Sequence, residues 1–349
     1  MKLKEFQNEL SKNKIDYAII FNHPNKPDPN FKYLAGLDSI FSCLVVSKKG
    51  SPKLFASIIE VGIAKHESKI KDVITINKDL YAMIKKSFAG KNIGINYNHI
   101  TINMFNRLKK EFKAKFHDIS KIFDRLRITK TKEETNYLRK SCSYISRIMQ
   151  TTISNINKFK TELQVKDFIE SQVKKLNLEL SFPIIVASGK NSKDPHHFPT
   201  HEKLKGFTII DIGVKYKGYC SDMTRTVYIG KPSKEEIHKY NLVLESQLES
   251  IKNLRKLSPA ELHKQAQKKL GKYFVHALGH GVGIEIHESP SISTKSKDKF
   301  KEAMVITIEP GYYDKFGIRI EDDILITKKG HEILTKFNKE LIVIWFLNH

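Results

Sequence analysis

The stretch that most limits how this chain can fold is residues 207–226, FTIIDIGVKYKGYCSDMTRT. Two runs rich in β-branched residues flank Lys217-Gly218, which predicts a β-hairpin with a tight turn. Asp211 lies among isoleucines, where an ionised carboxylate is costly to bury unless it meets a cation, a metal or several donors. Asp222 is on the returning strand, so the two carboxylates are predicted to lie roughly opposite each other. A surface hairpin with ordinary polar positions explains this stretch equally well on its own.

A second predicted hairpin near the C-terminus has the same arrangement. It spans residues 304–327, MVITIEPGYYDKFGIRIEDDILIT, with Glu309 at the end of an apolar run, Gly317 in the turn and Glu321 on the return. Between the hairpins, HALGHGVGIEIHE at residues 276–288 contains three histidines in a Gly-rich setting. Two Asp, two Glu and one His form an oxygen-rich ligand set that suits a pair of divalent ions of the Mn, Fe, Co or Zn kind.

These motifs carry a resemblance to a known family. The order Asp, Asp, His, Glu, Glu, within SDMTRT, GHGVGIEIHE, TIEPG and RIED, resembles the metallopeptidases of the pita-bread fold. SDMTRT and RIED are similar to the Xaa-Pro branch, aminopeptidase P and Xaa-Pro dipeptidase, more than to methionine aminopeptidase. The resemblance implies an α+β pita-bread catalytic domain with a pseudo-twofold curved antiparallel sheet.

The resemblance also assigns the metal ligands. It implies two divalent ions, with Mn expected first and Co, Fe or Zn as alternatives, held by Asp211, Asp222, His280, Glu309 and Glu321. Glu309 is the ligand that the family uses to exchange a proton with the attacking water. The Gly-rich step around His280 is expected to let the backbone approach the metals.

Three further residues are expected to act on the substrate or on the ligands. His196, directly after Pro195, and His287 match family histidines that face the substrate. Arg319 lies on the same strand face as Glu321 and is expected to pair with the carboxylates or with the substrate. For His276 a substrate contact and a packed, hydrogen-bonded role both remain open. His197 is expected to be an ordinary loop histidine.

The length of 349 residues favours two domains. Residues 1–122 alternate short apolar runs with helix-like stretches, which predicts an α/β domain, and residues 31–39, FKYLAGLDS, are similar to the creatinase N-terminal domain. This domain contains no cluster of catalytic residue types, so we expect it to pack against a partner subunit, in a homodimer, or over the rim of the site. The predicted strands are 16–21, 41–46, 53–57, 72–76 and 92–97, and the predicted helices 2–12, 78–88 and 101–112.

Residues 123–349 form the predicted catalytic domain, and capping boxes predict where its helices begin. These motifs satisfy the free N–H groups of the first helical turn and predict helices near 132–156, 162–176, 234–255 and 259–271. The four boxes are Thr131 with Glu134, Thr161 with Gln164, Ser233 with Glu236 and Ser258 with Glu261.

Composition argues against several partners. The net charge is +23, but only eight of the 61 basic residues are Arg and the lysines are scattered. A protein that recognises nucleic acid should cluster its basic residues on one element, so we expect no specific nucleic-acid partner.

The start lacks the apolar core of a signal peptide, and the longest apolar stretch, Leu341–Leu347, is too short to span a membrane. Three cysteines without metal-type spacing fit reduced thiols, and we expect a cytoplasmic protein without a membrane partner.

The activity that the resemblance implies is hydrolysis of the Xaa-Pro bond at the N-terminus of short peptides with proline in second position. An Xaa-Pro aminopeptidase is the first expectation, because no motif outside the metal site is devoted to a C-terminal carboxylate. A strict Xaa-Pro dipeptidase is the alternative. A non-catalytic pita-bread binding module is a second alternative, although its expected mark, a missing ligand, is not found.

Overall fold

The chain folds into two units, Met1–Leu126 and Arg127–His349. A computed structural model describes residues 2–345, so Phe346 and Leu347, the end of the apolar stretch named above, lie outside the described residues. The division falls at 126/127 rather than at 122/123, because the last helix of the first unit continues past residue 122. Phe123 on that helix stacks on Phe6 with ring centroids 4.9 Å apart. None of the helices in the described part combines the length and the apolar character of a membrane span.

The first unit is built around one six-stranded sheet with the order β4-β3-β2-β1-β5-β6. Strands β1, β2 and β3 are antiparallel neighbours, whereas β3–β4, β1–β5 and β5–β6 are parallel. The elements in order are α1 Lys2–Lys12, β1 Tyr17–Asn22, α2 Pro29–Ala35, β2 Ser42–Ser47, β3 Lys53–Ser57, α3 Val61–Glu67, β4 Asp72–Ile76, α4 Leu80–Ser87, β5 Asn92–Ile95, α5 Ile102–Glu111, β6 Lys115–Asp118 and α6 Ser120–Arg127.

The second unit combines four long helices with two main sheets. Its elements are α7 Lys132–Ser154, α8 Glu162–Lys175, β7 Glu179–Leu180, β8 Ile185–Ser188, β9 Gly206–Ile212, β10 Val214–Tyr216, β11 Tyr219–Cys220, β12 Met223–Ile229, α9 Lys234–Asn253, α10 Pro259–Leu270, β13 Gly279–Gly281, β14 Glu288–Ile292, β15 Val305–Ile308, β16 Gly311–Tyr313, β17 Gly317–Arg319, β18 Asp322–Ile326, β19 His331–Ile333 and β20 Val343–Ile344. The sheets have the orders β20-β12-β9-β8 and β14-β13-β15-β18-β19. Their strands pair antiparallel, except for the parallel pair β12–β20.

The helices begin where the capping residues predict. Three full capping boxes open α7, α9 and α10. The fourth prediction is only half right, because the Thr161 side chain caps α8 but the Gln164 side chain accepts from Lys160 N rather than from Thr161 N. Apolar side chains of α7 and α8 pack with those of β8, β9 and β12, and those of α9 and α10 pack with β15 and β18. The helices therefore cover apolar faces of both sheets.

Candidate metal centre and active site

The first carboxylate hairpin is longer and more irregular than the sequence suggests. Strands β9 and β12 pair with Asp211 opposite Thr224 and Ile212 opposite Met223. Asp222 therefore lies diagonal to Asp211, two positions from being directly opposite. The predicted turn is confirmed, since Lys217 and Gly218 have φ values of 52° and 82°, the signs that a type I′ turn requires.

The second hairpin places its two glutamates face to face. Ile308 of β15 pairs with Asp322 of β18, and this register continues to put Glu309 opposite Glu321. The prediction that Gly317 forms the turn is wrong, because Gly317 is the first residue of β17 and pairs with Tyr313. A glycine is needed there for close approach: a Cβ would lie 1.8 Å from the backbone oxygen of Ser192.

Hydrogen bonds hold the two hairpins against each other. The Thr224 hydroxyl donates to Glu321 Oε2 at 2.7 Å, and Glu321 N donates to Thr224 O at 3.1 Å. One strand further on, Arg319 N donates to the Thr226 hydroxyl at 3.1 Å. Asp211, Asp222, Glu309 and Glu321 therefore converge on one site.

His280 completes this cluster from β13. Its Nδ1–H donates to the carbonyl of Gly281 at 3.1 Å, which leaves Nε2 with a free lone pair. This Nε2 lies 3.4 Å from Glu309 Oε1 and 3.7 Å from Asp222 Oδ2. The glycine before His280 is required by strand packing, since a Cβ at Gly279 would lie 2.1 Å from Thr307 O.

The buried carboxylates of the cluster repel one another, and their pKa values are shifted. Burial, together with Glu321 and Asp211, raises the pKa of Asp222 well above its usual range. Burial, together with Glu309 and Asp211, does the same to the pKa of Glu321. Burial raises the pKa of Glu309 to about 8, and burial next to His287 lowers the pKa of His280 to about 4. Carboxylates crowded in this way need cations.

A divalent cation fits the donors that the structure brings together. Donor atoms of Asp222, His280 and Glu321 lie within 4.8 Å of one another. Oδ1 of Asp211 is buried and makes no hydrogen bond within residues 2–345. An unpaired buried carboxylate oxygen and a free imidazole lone pair in the lining of one cavity are the chemistry of a metal site.

All eight residues predicted for the site line a single cavity of about 490 Å³. Beside the five candidate ligands are His196, His287 and Arg319, and the rings of His287 and His280 are 4.4 Å apart. The apolar part of the lining is formed by Phe182, Pro183, Ile185, Phe198 and Ile286. The cavity thus combines charged and apolar lining residues.

Arg319 is buried, and its guanidinium donates hydrogen bonds to protein oxygens. Nη2 donates to Asp211 Oδ2 at 2.7 Å, Nη1 donates to the Tyr313 hydroxyl at 2.7 Å and to Pro195 O at 3.2 Å, and Nε donates to Thr224 Oγ1 at 3.2 Å. Of the two partners expected for Arg319, carboxylate or substrate, the structure shows the carboxylate.

Tyr313, which was not predicted as a site residue, joins Arg319 to His276. The Tyr313 hydroxyl accepts from Arg319 and lies 3.1 Å from His276 Nε2, while His276 Nδ1 donates to Ala277 O at 2.8 Å. His276 is therefore both hydrogen-bonded within the protein and part of the cavity wall. Tyr313 and Arg319 are on the paired strands β16 and β17, and a period-2 pattern alone does not indicate that their side chains meet.

Comparison with known proteins decides the family. A model of metallopeptidase family M24 matches residues 136–328. The chain belongs to metallopeptidase family M24. A model of the creatinase/prolidase N-terminal domain matches residues 2–129 of this M24 protein. The resemblance of its site motifs to the Xaa-Pro branch is thereby confirmed, and the protein is a hydrolase of a family that works with divalent metal ions.

Individual relatives agree with this assignment. An Xaa-Pro dipeptidase of Pyrococcus furiosus is 34% identical over 98% of both chains. A solved structure of the prolidase from Pyrococcus horikoshii has a TM-score of 0.89 at 32% identity and covers 98% of this M24 chain and 99% of its own. The structure of an X-Pro aminopeptidase from Thermotoga maritima has a TM-score of 0.88 at 29% identity, with 96% and 99% covered. The predicted two-domain pita-bread architecture is confirmed.

Proposed function

We propose that this chain is a metal-dependent Xaa-Pro peptidase that releases the N-terminal residue from dipeptides and from longer peptides with proline in second position. The convergence of four carboxylates and one histidine in the lining of one cavity carries this proposal. Relatives named as dipeptidases and a structural neighbour named as an aminopeptidase support the same bond preference.

Two divalent ions, Mn first among the candidates, would be held by the five residues Asp211, Asp222, His280, Glu309 and Glu321. Such ions would supply a polarised scissile carbonyl and a water of lowered pKa. Their positive charge would also offset the burial and the mutual repulsion that raise the pKa values of Asp222 and Glu321.

The other residues of the cavity would handle protons and position the substrate. Glu309 is proposed to accept the proton of the attacking water at its carboxylate. His287, whose pKa is lowered by burial and by His196, would donate a hydrogen bond to the scissile carbonyl oxygen or relay to the leaving nitrogen the proton that Glu309 takes from the water. His196 at the rim would contact the substrate. Arg319 would hold Asp211 through their 2.7 Å ion pair.

The bonding of Arg319 favours a broad substrate range. A strict dipeptidase must recognise the free carboxylate that follows proline, and a cation is the usual partner of a carboxylate. Arg319 is the one Arg or Lys among the described residues that line the cavity, and it already donates to four protein oxygens. The cavity residues therefore provide no uncommitted Arg or Lys for a C-terminal carboxylate.

A substrate panel tests this proposal. The purified protein, loaded with Mn, is assayed on Ala-Pro, Ala-Pro-Ala and a longer Ala-Pro peptide, with Ala-Ala and Ala-Ala-Ala as matched controls. We expect cleavage of all three proline peptides and little cleavage of the controls. Cleavage of Ala-Pro alone would establish the strict dipeptidase instead. Binding without hydrolysis of any peptide would establish the binding module.

A further inference from the structure

Glu162 is a fully buried carboxylate outside the metal centre, and the function above gives it no role. It is the first residue of α8, directly after the capping residue Thr161, and its relative exposure is 0%. Burying an ionised carboxylate is costly unless donors surround it. The position of Glu162 at a helix N-terminus offsets part of this cost, and hydrogen bonds from one loop offset more.

Five donors within residues 188–200 reach the two oxygens of Glu162. Oε1 accepts from Ser188 N at 2.8 Å and from Asn191 Nδ2 at 3.0 Å. Oε2 accepts from Thr200 N, Thr200 Oγ1 and His197 Nε2, each at 2.9 Å. The carboxylate therefore ties together the two ends of this segment, which we call the His196 segment.

The same segment is fixed on its other side by the β16–β17 hairpin. Gly317 N donates to Ser192 Oγ at 2.7 Å. Arg319 Nη1 donates to Pro195 O at 3.2 Å. The His196 segment thus lies between α8 and the strand that carries Arg319.

His196 is bracketed by these two attachments. The residue before it, Pro195, is held by Arg319, and the residue after it, His197, is held by Glu162. The His196 side chain itself lines the cavity. A shift of the Glu162 carboxylate would release His197 and Thr200, and with them the backbone that directs His196.

We propose that Glu162 is the positioning residue for His196: it fixes the loop that presents this histidine to the substrate. The assignment rests on the proposed function, since it requires that His196 contacts a peptide. It also gives His197 a definite role, as the donor through which Glu162 holds the neighbouring position.

The test is a double-mutant cycle. Glu162→Gln keeps the volume of the side chain but replaces an acceptor oxygen with an NH₂ group, which faces donors it cannot pair with. In the wild-type background we expect a loss of about tenfold or more in kcat/KM on Ala-Pro, because small misplacements of substrate-positioning groups have effects of this size. In the His196→Ala background the same change should cost less than about twofold, because coupled residues are not additive.

Two further variants control the cycle. Glu134→Gln alters another buried glutamate, in the capping box of α7, where it accepts from Thr131 N and the Tyr219 hydroxyl. It should change kcat/KM by less than about twofold in both backgrounds, as expected for sites that share no partner. His197→Ala removes one donor and leaves the carboxylate, so it should show a smaller loss with the same dependence on His196, which keeps the test available if Glu162→Gln does not fold.

Hydrogen exchange supplies a readout that does not depend on turnover. The amides of residues 188–200 should exchange faster in Glu162→Gln than in the wild type, and at the wild-type rate in His196→Ala. Equal losses of kcat/KM in both backgrounds would show a merely structural role and overturn the assignment. A His196→Ala variant as active as wild type would also overturn it and leave the proposed function standing, whereas a wild-type protein inactive on every Xaa-Pro peptide would overturn both.

Discussion

Arg225 and Asp322 form a fully buried ion pair, with Nη2 of Arg225 2.8 Å from Oδ1 of Asp322. The two residues lie 97 positions apart in the chain and belong to the motifs SDMTRT and RIED. Arg225 Nη1 also donates to the backbone oxygens of Thr224 and Glu321. The pair therefore joins β12 to the start of β18 at the residue that follows the proposed ligand Glu321.

Loss of the Asp322 charge should destabilise the protein strongly. Asp322→Asn leaves Arg225 and Lys339, whose Nζ is 2.6 Å from Asp322 Oδ2, without their counter-charge. Breaking a buried ion pair on one side costs about 3–5 kcal/mol of the free energy of unfolding, to be measured by urea denaturation. The matched control Glu332→Gln breaks the exposed pair Arg139–Glu332 and should cost no more than about 1 kcal/mol. Equal effects of the two variants would contradict this expectation.

The buried carboxylate of Glu288 should make the free energy of unfolding depend on pH. Glu288 lies between Arg127 and Lys130, and despite its burial these cations lower its pKa from 4.5 to about 2. Because the pKa is depressed in the folded state, the stabilisation is complete above pH 4.5 and is lost as the pH falls towards 2. A shift of this size corresponds to roughly 3 kcal/mol.

The measurement is the difference in the free energy of unfolding between wild type and Glu288→Gln. This difference should be largest near pH 6 and should narrow steadily towards pH 3. A difference that stays constant over this range would show that the ionised form of Glu288 is not what stabilises the fold.

The local signals in the sequence predicted the local structure well. Helix α1 coincides with the predicted residues 2–12, and α7 and α9 begin at their predicted capping residues. The short helices α2 and α3 and the strand β6, which reads KFHD, were not predicted because each is too short or too polar to show a clear periodicity. The hairpin patterns indicated the four carboxylates, and the resemblance supplied the roles of His196, His280 and His287.

What the sequence could not show are contacts between distant segments. Glu162 and Asp322 are acidic residues in helical or strand contexts like many others, and only the fold surrounds them with donors. Gly317 looks like a turn residue until the backbone of Ser192 is seen to pack against it. Tertiary proximity of this kind leaves no trace in spacing or composition.

The proposed ligand Asp222 is open to a direct test. Asp222→Asn keeps the shape of the side chain but removes its charge, so turnover of Ala-Pro should fall by about a hundredfold or more while the circular dichroism spectrum is unchanged. Metal content, measured by mass spectrometry, should fall as well. Turnover close to that of wild type would show that Asp222 is not a ligand.

His280 and His287, whose ring centroids are 4.4 Å apart, are distinguished by the metal content of their alanine variants. His287→Ala should retain its metal and lose about a hundredfold in kcat, the usual effect of a lost acid–base group. His280→Ala should lose metal as well as activity. A His287→Ala protein without metal beside a His280→Ala protein with metal would show that the two roles are reversed.

The central claim, a metal-dependent Xaa-Pro peptidase, is tested most directly by titrating metal into the metal-free wild-type protein. The protein is stripped with a chelator, and the release of alanine from Ala-Pro is measured as Mn is added in steps. We predict no release at the start, and activity that rises with bound Mn to a plateau at no more than about two ions per chain. Full activity in the metal-free protein, or none at any metal content, would contradict the claim.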